Sequence, residues 1–147
     1  MPGWLKVLLI VIVVVIVLAV GVVAIAGFLI YRNKDAIVAK TKEIATEAKN
    51  FGEQTDNRGC VDESISRYKA EPGFTKAISS SIFMRICLDN SRPTPGFCDD
   101  VPKQMEFMKA AHWKIDQCRR VDLSRDSNCQ NLFTPIQQFC EEGRRPQ

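Results

Sequence analysis

VLLIVIVVVIVLAVGVVAIAGFLI, residues 7–30, decides how the rest of the chain is read. These 24 residues carry no charged, amide or hydroxyl side chain. As a helix rising ~1.5 Å per residue they extend ~36 Å, enough to cross a ~30 Å hydrocarbon core with some tilt. Lipid offers no partner to backbone N–H and C=O groups, and a helix satisfies them internally. The helix of a soluble core, by contrast, keeps a polar stripe toward water. Trp4 and Lys6 precede the run, and Tyr31 and Arg32 follow it. Aromatic and long cationic side chains of this kind settle at the two membrane–water interfaces. A transmembrane anchor is therefore expected over residues 1–32, with a lipid bilayer as its partner.

Two details bear on how that anchor is handled. Ala24-Ile25-Ala26, followed by Gly27, has the form of a signal-peptidase site. A secretory signal, however, has an apolar region of about 7–15 residues behind a basic leader. This run is longer, continues through Phe28-Leu29-Ile30, and is preceded by a single lysine. An uncleaved signal anchor is expected, and cleavage after Ala26 is the alternative. Orientation carries opposing signals. Arg32, Lys34, Lys40, Lys42 and Lys49 follow the run, which the positive-inside rule assigns to the cytoplasmic side. The cysteines point to an oxidising compartment, and they are given the greater weight.

The chain has 147 residues with 20 basic and 17 acidic side chains. Setting aside Lys6 and Arg32, residues 33–147 hold 18 basic against 17 acidic groups, a net of +1. Nucleic-acid binding requires a concentrated basic face, so it is excluded as an expectation. Arg119-Arg120 and Arg144-Arg145 read as solvated surface.

Residues 33–51 contain no Pro or Gly and are rich in Ala, Glu and Lys. Ile37, Ile44 and Phe51 recur every seven residues, with Thr41 and Ala48 between. That places a narrow apolar stripe on one helical face, too short for a coiled coil. An amphipathic stalk over 33–52 is expected. Its stripe either rests on the chain's own domain or lipid headgroups, or faces a partner helix. Gly52 and the polar stretch 53–59 read as a hinge.

Beyond the hinge lie all six cysteines, Cys60, Cys87, Cys98, Cys118, Cys129 and Cys140. An even number in a short segment downstream of an export-type anchor reads as a disulfide framework. No pair has C-x-x-C spacing, and His112 is the only histidine, so neither structural zinc nor dithiol redox chemistry is expected. Val61, Ile65 and Tyr68 have helical spacing, as do Ile78, Ile82, Phe83 and Ile86 in a second helix over 75–88. Loops are marked at 71–73 and 91–96. Asp99 or Asp100 reads as the cap of a third helix, with Pro102 in its first turn. Val101, Met105, Met108, His112, Ile115 and Cys118 would share a face of it. Thr134-Pro135-Ile136-Gln137 has the form of a capping box, and Gly143 follows as a stop. The expected fold is all-α: anchor, stalk, and a stapled bundle of about four short helices over 60–143, with a tail at 144–147.

Six cysteines allow fifteen pairings. Joining Cys87 to Cys98 and Cys118 to Cys129 would staple successive loops, and Cys60–Cys140 would tie the first bundle helix to the last. No G-x-S-x-G, H-E-x-x-H, P-loop or Rossmann glycine pattern occurs. Asp99-Asp100 and Glu141-Glu142 sit where helix ends explain them. Neither a catalytic residue, a metal ligand nor a cofactor site is expected. The expected role is a non-catalytic, extracytoplasmic, membrane-anchored interaction module, such as an accessory subunit, assembly factor or binding domain. Its protein partner would be another membrane or envelope protein. If cleavage follows Ala26, a secreted stapled effector or inhibitor results. A further alternative rests on the first 50 residues, where an apolar helix runs into an amphipathic one behind Gly3. This arrangement is similar to the first helix of type IV pilins, and it implies a filament subunit. It departs from that pattern in lacking a basic leader and in having Leu8 where pilins carry glutamate.

Overall fold

A computed structural model describes residues 3–143. The tail at 144–147, with Arg144-Arg145, lies outside the described residues. Six helices follow in order: α1 (Gly3–Gln54), α2 (Asn57–Ala70), α3 (Phe74–Asn90), α4 (Phe107–Arg120), α5 (Cys129–Leu132) and α6 (Thr134–Gly143). Among the described residues there is no strand beyond an isolated parallel bridge between Asp56 and Arg92. The fold is all-helical, as the sequence implied. It divides into two compact units, Met1–Lys40 and Thr41–Gln147.

The first unit is helical, and its Lys6–Leu29 segment is long and apolar enough to cross a membrane. That segment has a mean hydropathy of 3.7, and none of it is buried within the protein. Leaving so many Val, Ile and Leu side chains in water would cost about 25 cal/mol per Å² of apolar surface. At the end of the segment, the Arg32 guanidinium lies 5.9 Å from the Phe28 ring and the Lys34 ammonium 4.8 Å from that of Tyr31. Trp4 and Tyr31 are both exposed, at opposite ends of the run.

The second unit begins with the last turns of α1. Ala48 is fully buried there, and Ile44 and Phe51 pack against the same core. The Phe51 ring meets that of Phe83 at 5.9 Å. Two members of the proposed partner-facing stripe are thus covered by the chain's own domain, while Ile37 is half-exposed in the other unit. The reason is area: a small bundle gains stability by recruiting every apolar face its chain supplies.

Gly52 marks the closest approach. A Cβ placed there would lie 2.7 Å from the Cys87 carbonyl oxygen and 3.2 Å from Asn90 Cβ. Replacing Gly with Ala in a helix normally gains ~1 kcal/mol. Here overpacking against backbone costs about 1–3 kcal/mol, so Gly52→Ala is expected to lower stability despite the better helix former. Urea unfolding of the two proteins side by side would show this as a lower midpoint.

The stretch read as a hinge, 53–59, is tied down on several sides. Helix α1 continues to Gln54, only Thr55 and Asp56 intervene, and α2 starts at Asn57. Arg92 N–H donates to the Thr55 carbonyl and Asn57 N–H to the Arg92 carbonyl, each at 3.1 Å. The Asp56 carboxylate accepts from Gly59 N–H at 2.9 Å, an N-cap that satisfies one of the orphan donors of α2. The Asn57 side chain is buried, donating to Ser91 Oγ and accepting from Thr94 N–H. Polar residues that suggested flexibility act here as hydrogen-bonding ties.

Helix α3 is central, packing against α2, α5 and α6. Its buried residues are Ala77, Ser80, Phe83, Met84, Cys87 and Leu88. Of the four expected inward, Phe83 is buried, Ile82 and Ile86 are half-buried, and Ile78 is exposed.

The third expected helix differs most. Residues 97–106 form turns and irregular loop, and the helix starts only at Phe107. Asp99 and Asp100 therefore do not cap it. Val101 is buried in the loop, whereas Met105 and Met108 are 76% and 73% exposed and Ile115 is 41% exposed. Ala110 and Cys118 define the buried side instead, with Trp113 half-buried and edge-on to Phe133 at 6.1 Å. His112 lies on the exposed side. The expected capping box is also not formed. The buried Gln137 amide donates to the Pro102 carbonyl at 3.2 Å rather than folding back on its own helix. It thereby fastens α6 to the loop before α4.

Candidate interaction surfaces and their frame

Three disulfides hold the second unit: Cys60–Cys87, Cys98–Cys140 and Cys118–Cys129, with Cα separations of 5.7, 5.4 and 5.9 Å. The last is the pair expected from sequence. The pairings Cys87–Cys98 and Cys60–Cys140 are not formed. Helices α2 and α3 pack as an antiparallel pair, so the first turn of α2 lies beside the last turn of α3. Cys60 occupies one and Cys87 the other. Cys98 is then left for α6, and its bridge to Cys140 pins the proline-rich loop across the bundle. Loop length alone favours joining neighbours along the chain. The helix hairpin overrides it.

Charged groups reinforce this frame. Arg67 donates to Glu63 and Glu47 at 2.8 Å each, and its guanidinium lies over the Phe83 ring at 4.0 Å. The hydrogen bond to Arg67 holds the Glu47 carboxyl below its usual range. On α3, Arg85 pairs with Asp89 at 3.0 Å and with Glu142 of α6. Tyr68 is fully buried and donates its phenol O–H to Asp126 at 2.6 Å. Burial, then that carboxylate, raises the Tyr68 phenol above the ordinary tyrosine range.

A phenol whose pKa is raised by folding contributes stability that is complete below the unfolded value of about 10. That contribution is lost as pH rises through the folded value. Unfolding free energy is therefore expected to fall above about pH 10, and Tyr68→Phe should remove that dependence. At neutral pH the same variant should cost about 1.5–2 kcal/mol by removing a hydrogen bond to a charged acceptor. Denaturant titrations of both proteins across this range would check both statements.

Two largely apolar open surfaces stand out on this frame among the described residues. One is a groove of about 480 Å³ between α3 and the α5–α6 side, floored by Phe74, Ala77, Ile78, Ile82 and Pro135. Arg85, Asn131 and Gln138 stand at its polar positions. The other is the outer side of α4 with the preceding loop, where Met105, Phe107, Met108 and Ile115 are exposed. Neither was marked as a surface by the sequence, yet both carried its signal. Phe74, Ile78, Ile82 and Ile86 recur at four-residue spacing, as core stripes do. Periodicity finds an apolar face without saying whether the domain covers it.

On α4, Lys114 turns the other way, toward Thr134 Oγ1 at 3.0 Å, and burial lowers its ammonium pKa. The interface residues Trp4, Lys6, Tyr31 and Arg32 belong to the first unit, and the cysteines to the second.

No known protein family matches the chain, and neither does any curated protein or solved structure.

Proposed function

We propose that this chain is a membrane-anchored, extracytoplasmic helical interaction module without catalytic activity. Residues 7–30 serve as an uncleaved signal anchor. Residues 33–40 continue from the membrane toward the stapled domain, which presents a binding surface to another membrane or envelope protein. The observation that supports this most directly is the combination of three disulfides with an exposed, 24-residue apolar helix of hydropathy 3.7 in one chain. Disulfides persist in oxidising compartments, and an apolar helix of this length is at home in lipid. The open apolar groove on α3 supplies surface of the kind used for recognition.

Thiol labelling of intact cells with a membrane-impermeant reagent tests side and redox state together. Little labelling is expected before reduction, and all six cysteines are expected to label after it. Six thiols that react without reduction, and only in lysed cells, would overturn the extracytoplasmic reading. Crosslinking followed by detergent solubilisation and pull-down tests the interaction. Recovery of the chain alone at every concentration would count against a binding role.

A further inference from the structure

We propose that the exposed face of α4, with the loop before it, is a second membrane contact: it docks the stapled domain on an anionic bilayer surface, the same bilayer that holds the anchor. The inference rests on the anchored reading above and adds a lipid-binding site to it.

The apolar part consists of Met105 and Phe107, 76% and 73% exposed, then Met108 and Ile115 along the helix. Seven residues is close to two helical turns, so Met108 and Ile115 lie on one line, with His112 between them and Arg119 beyond. A different side of α4, through Ala110 and Cys118, packs inward. This helix therefore has two working faces, and only one has its partner within the domain. Methionine and phenylalanine side chains of this kind enter the boundary between headgroups and acyl chains without needing a shaped pocket.

The charges select the occupant. Between residues 103 and 120, leaving aside the inward-turned Lys114, the chain carries Lys103, Lys109, Arg119 and Arg120 against Glu106 and Asp116. That is four basic groups to two acidic ones in a domain otherwise close to balance. Lys109 pairs with Glu106 at 2.7 Å and Arg119 with Asp116 at 3.0 Å. Both pairs are solvent-exposed, and such pairs contribute little and rearrange readily. A basic helix with a narrow apolar stripe suits a surface of anionic phosphates better than a protein groove, which would need complementary carboxylates and a deeper knob. The anchor supplies the remaining advantage. A tethered domain meets its own bilayer at high effective concentration, so a weak contact suffices.

The test uses the full chain reconstituted in vesicles. The sequence has two tryptophans, Trp4 and Trp113. Trp4→Phe gives a parent in which only Trp113 emits, and adding Met108→Trp places a reporter on the proposed contact. With brominated acyl chains in vesicles rich in phosphatidylglycerol, emission from the reporter variant is expected to be quenched well beyond the parent. In phosphatidylcholine alone the extra quenching should largely vanish. Lys109→Glu with Arg119→Glu should lower the ratio of docked to undocked domain about tenfold or more, each reversal weakening attraction to the surface.

Reporter quenching no greater than the parent in anionic vesicles would overturn the proposal. So would equal quenching in phosphatidylcholine. A photoreactive residue at 108 that crosslinks to a protein or to a second copy, rather than to lipid, would reassign the face. Alkaline extraction run alongside separates the two readings. A chain released from vesicles by carbonate would sink the anchor itself, whereas a retained but unquenched chain would sink only the lipid contact.

Discussion

Reducing the three disulfides is expected to unfold the second unit at ambient temperature. The bridges close loops with sequence separations of 27, 42 and 11 residues. Chain-entropy arguments assign stabilisation of about 3.6, 4.0 and 2.8 kcal/mol to them. Together that is on the order of 10 kcal/mol, as large as the whole stability of a typical small domain. Loss of tertiary circular dichroism on adding dithiothreitol, with recovery on reoxidation, is the measurement. A reduced domain that kept its tertiary signal would show that packing alone holds the fold. The same material, digested without reduction, should yield the peptide pairs 60–87, 98–140 and 118–129. Removing Cys98–Cys140 by paired alanines should cost more than removing Cys118–Cys129.

The second large effect is expected at Phe83. Its ring is buried to 1% exposure, touches Phe51 from α1, and lies under the Arg67 guanidinium of α2. Three helices thus converge on one side chain. Truncating a buried phenylalanine to alanine typically costs 3–5 kcal/mol, from lost transfer energy and from the cavity left behind. Phe83→Ala should fall at the upper end, because the cation–π contact and the ring pair go with it. Phe107, 73% exposed, provides the contrast. Phe107→Ala should change stability by less than about 0.5 kcal/mol. Chemical unfolding of the three proteins, disulfides intact, separates a core ring from a surface one.

Much of this architecture can be read from residues 7–30 and from the cysteine count. A long unbroken apolar run and an even set of cysteines each admit few physical solutions. The same cannot be said of the faces. Met105, Met108 and Ile115 share a helical period, and so do Ala110 and Cys118 on a different side. Which side turns inward depends on α5 and the Cys118–Cys129 bridge, which are tertiary facts. Val101 misled in the same direction. It is buried by the loop rather than by the helix it was expected to begin. The pairing of Cys60 with Cys87 needed the α2–α3 hairpin, visible only once two helices are laid antiparallel. Gln137 had the spacing of a local cap and instead reached 35 residues back along the chain to Pro102. Local rules predict local partners, and a buried amide takes whichever acceptor the packed fold presents.

The order of the bridges along the chain has a consequence for how the protein matures. Cys87 and Cys98 are 11 residues apart, the same spacing as Cys118 and Cys129. In the nascent, unstructured polypeptide both short closures meet the same entropic cost, so oxidation forms the wrong one as readily as the right one. Each molecule trapped with 87 joined to 98 leaves Cys60 and Cys140 without their proper mates until a thiolate attacks and reshuffles the bond. Efficient production therefore calls for a cell that supplies a disulfide isomerase as well as an oxidant.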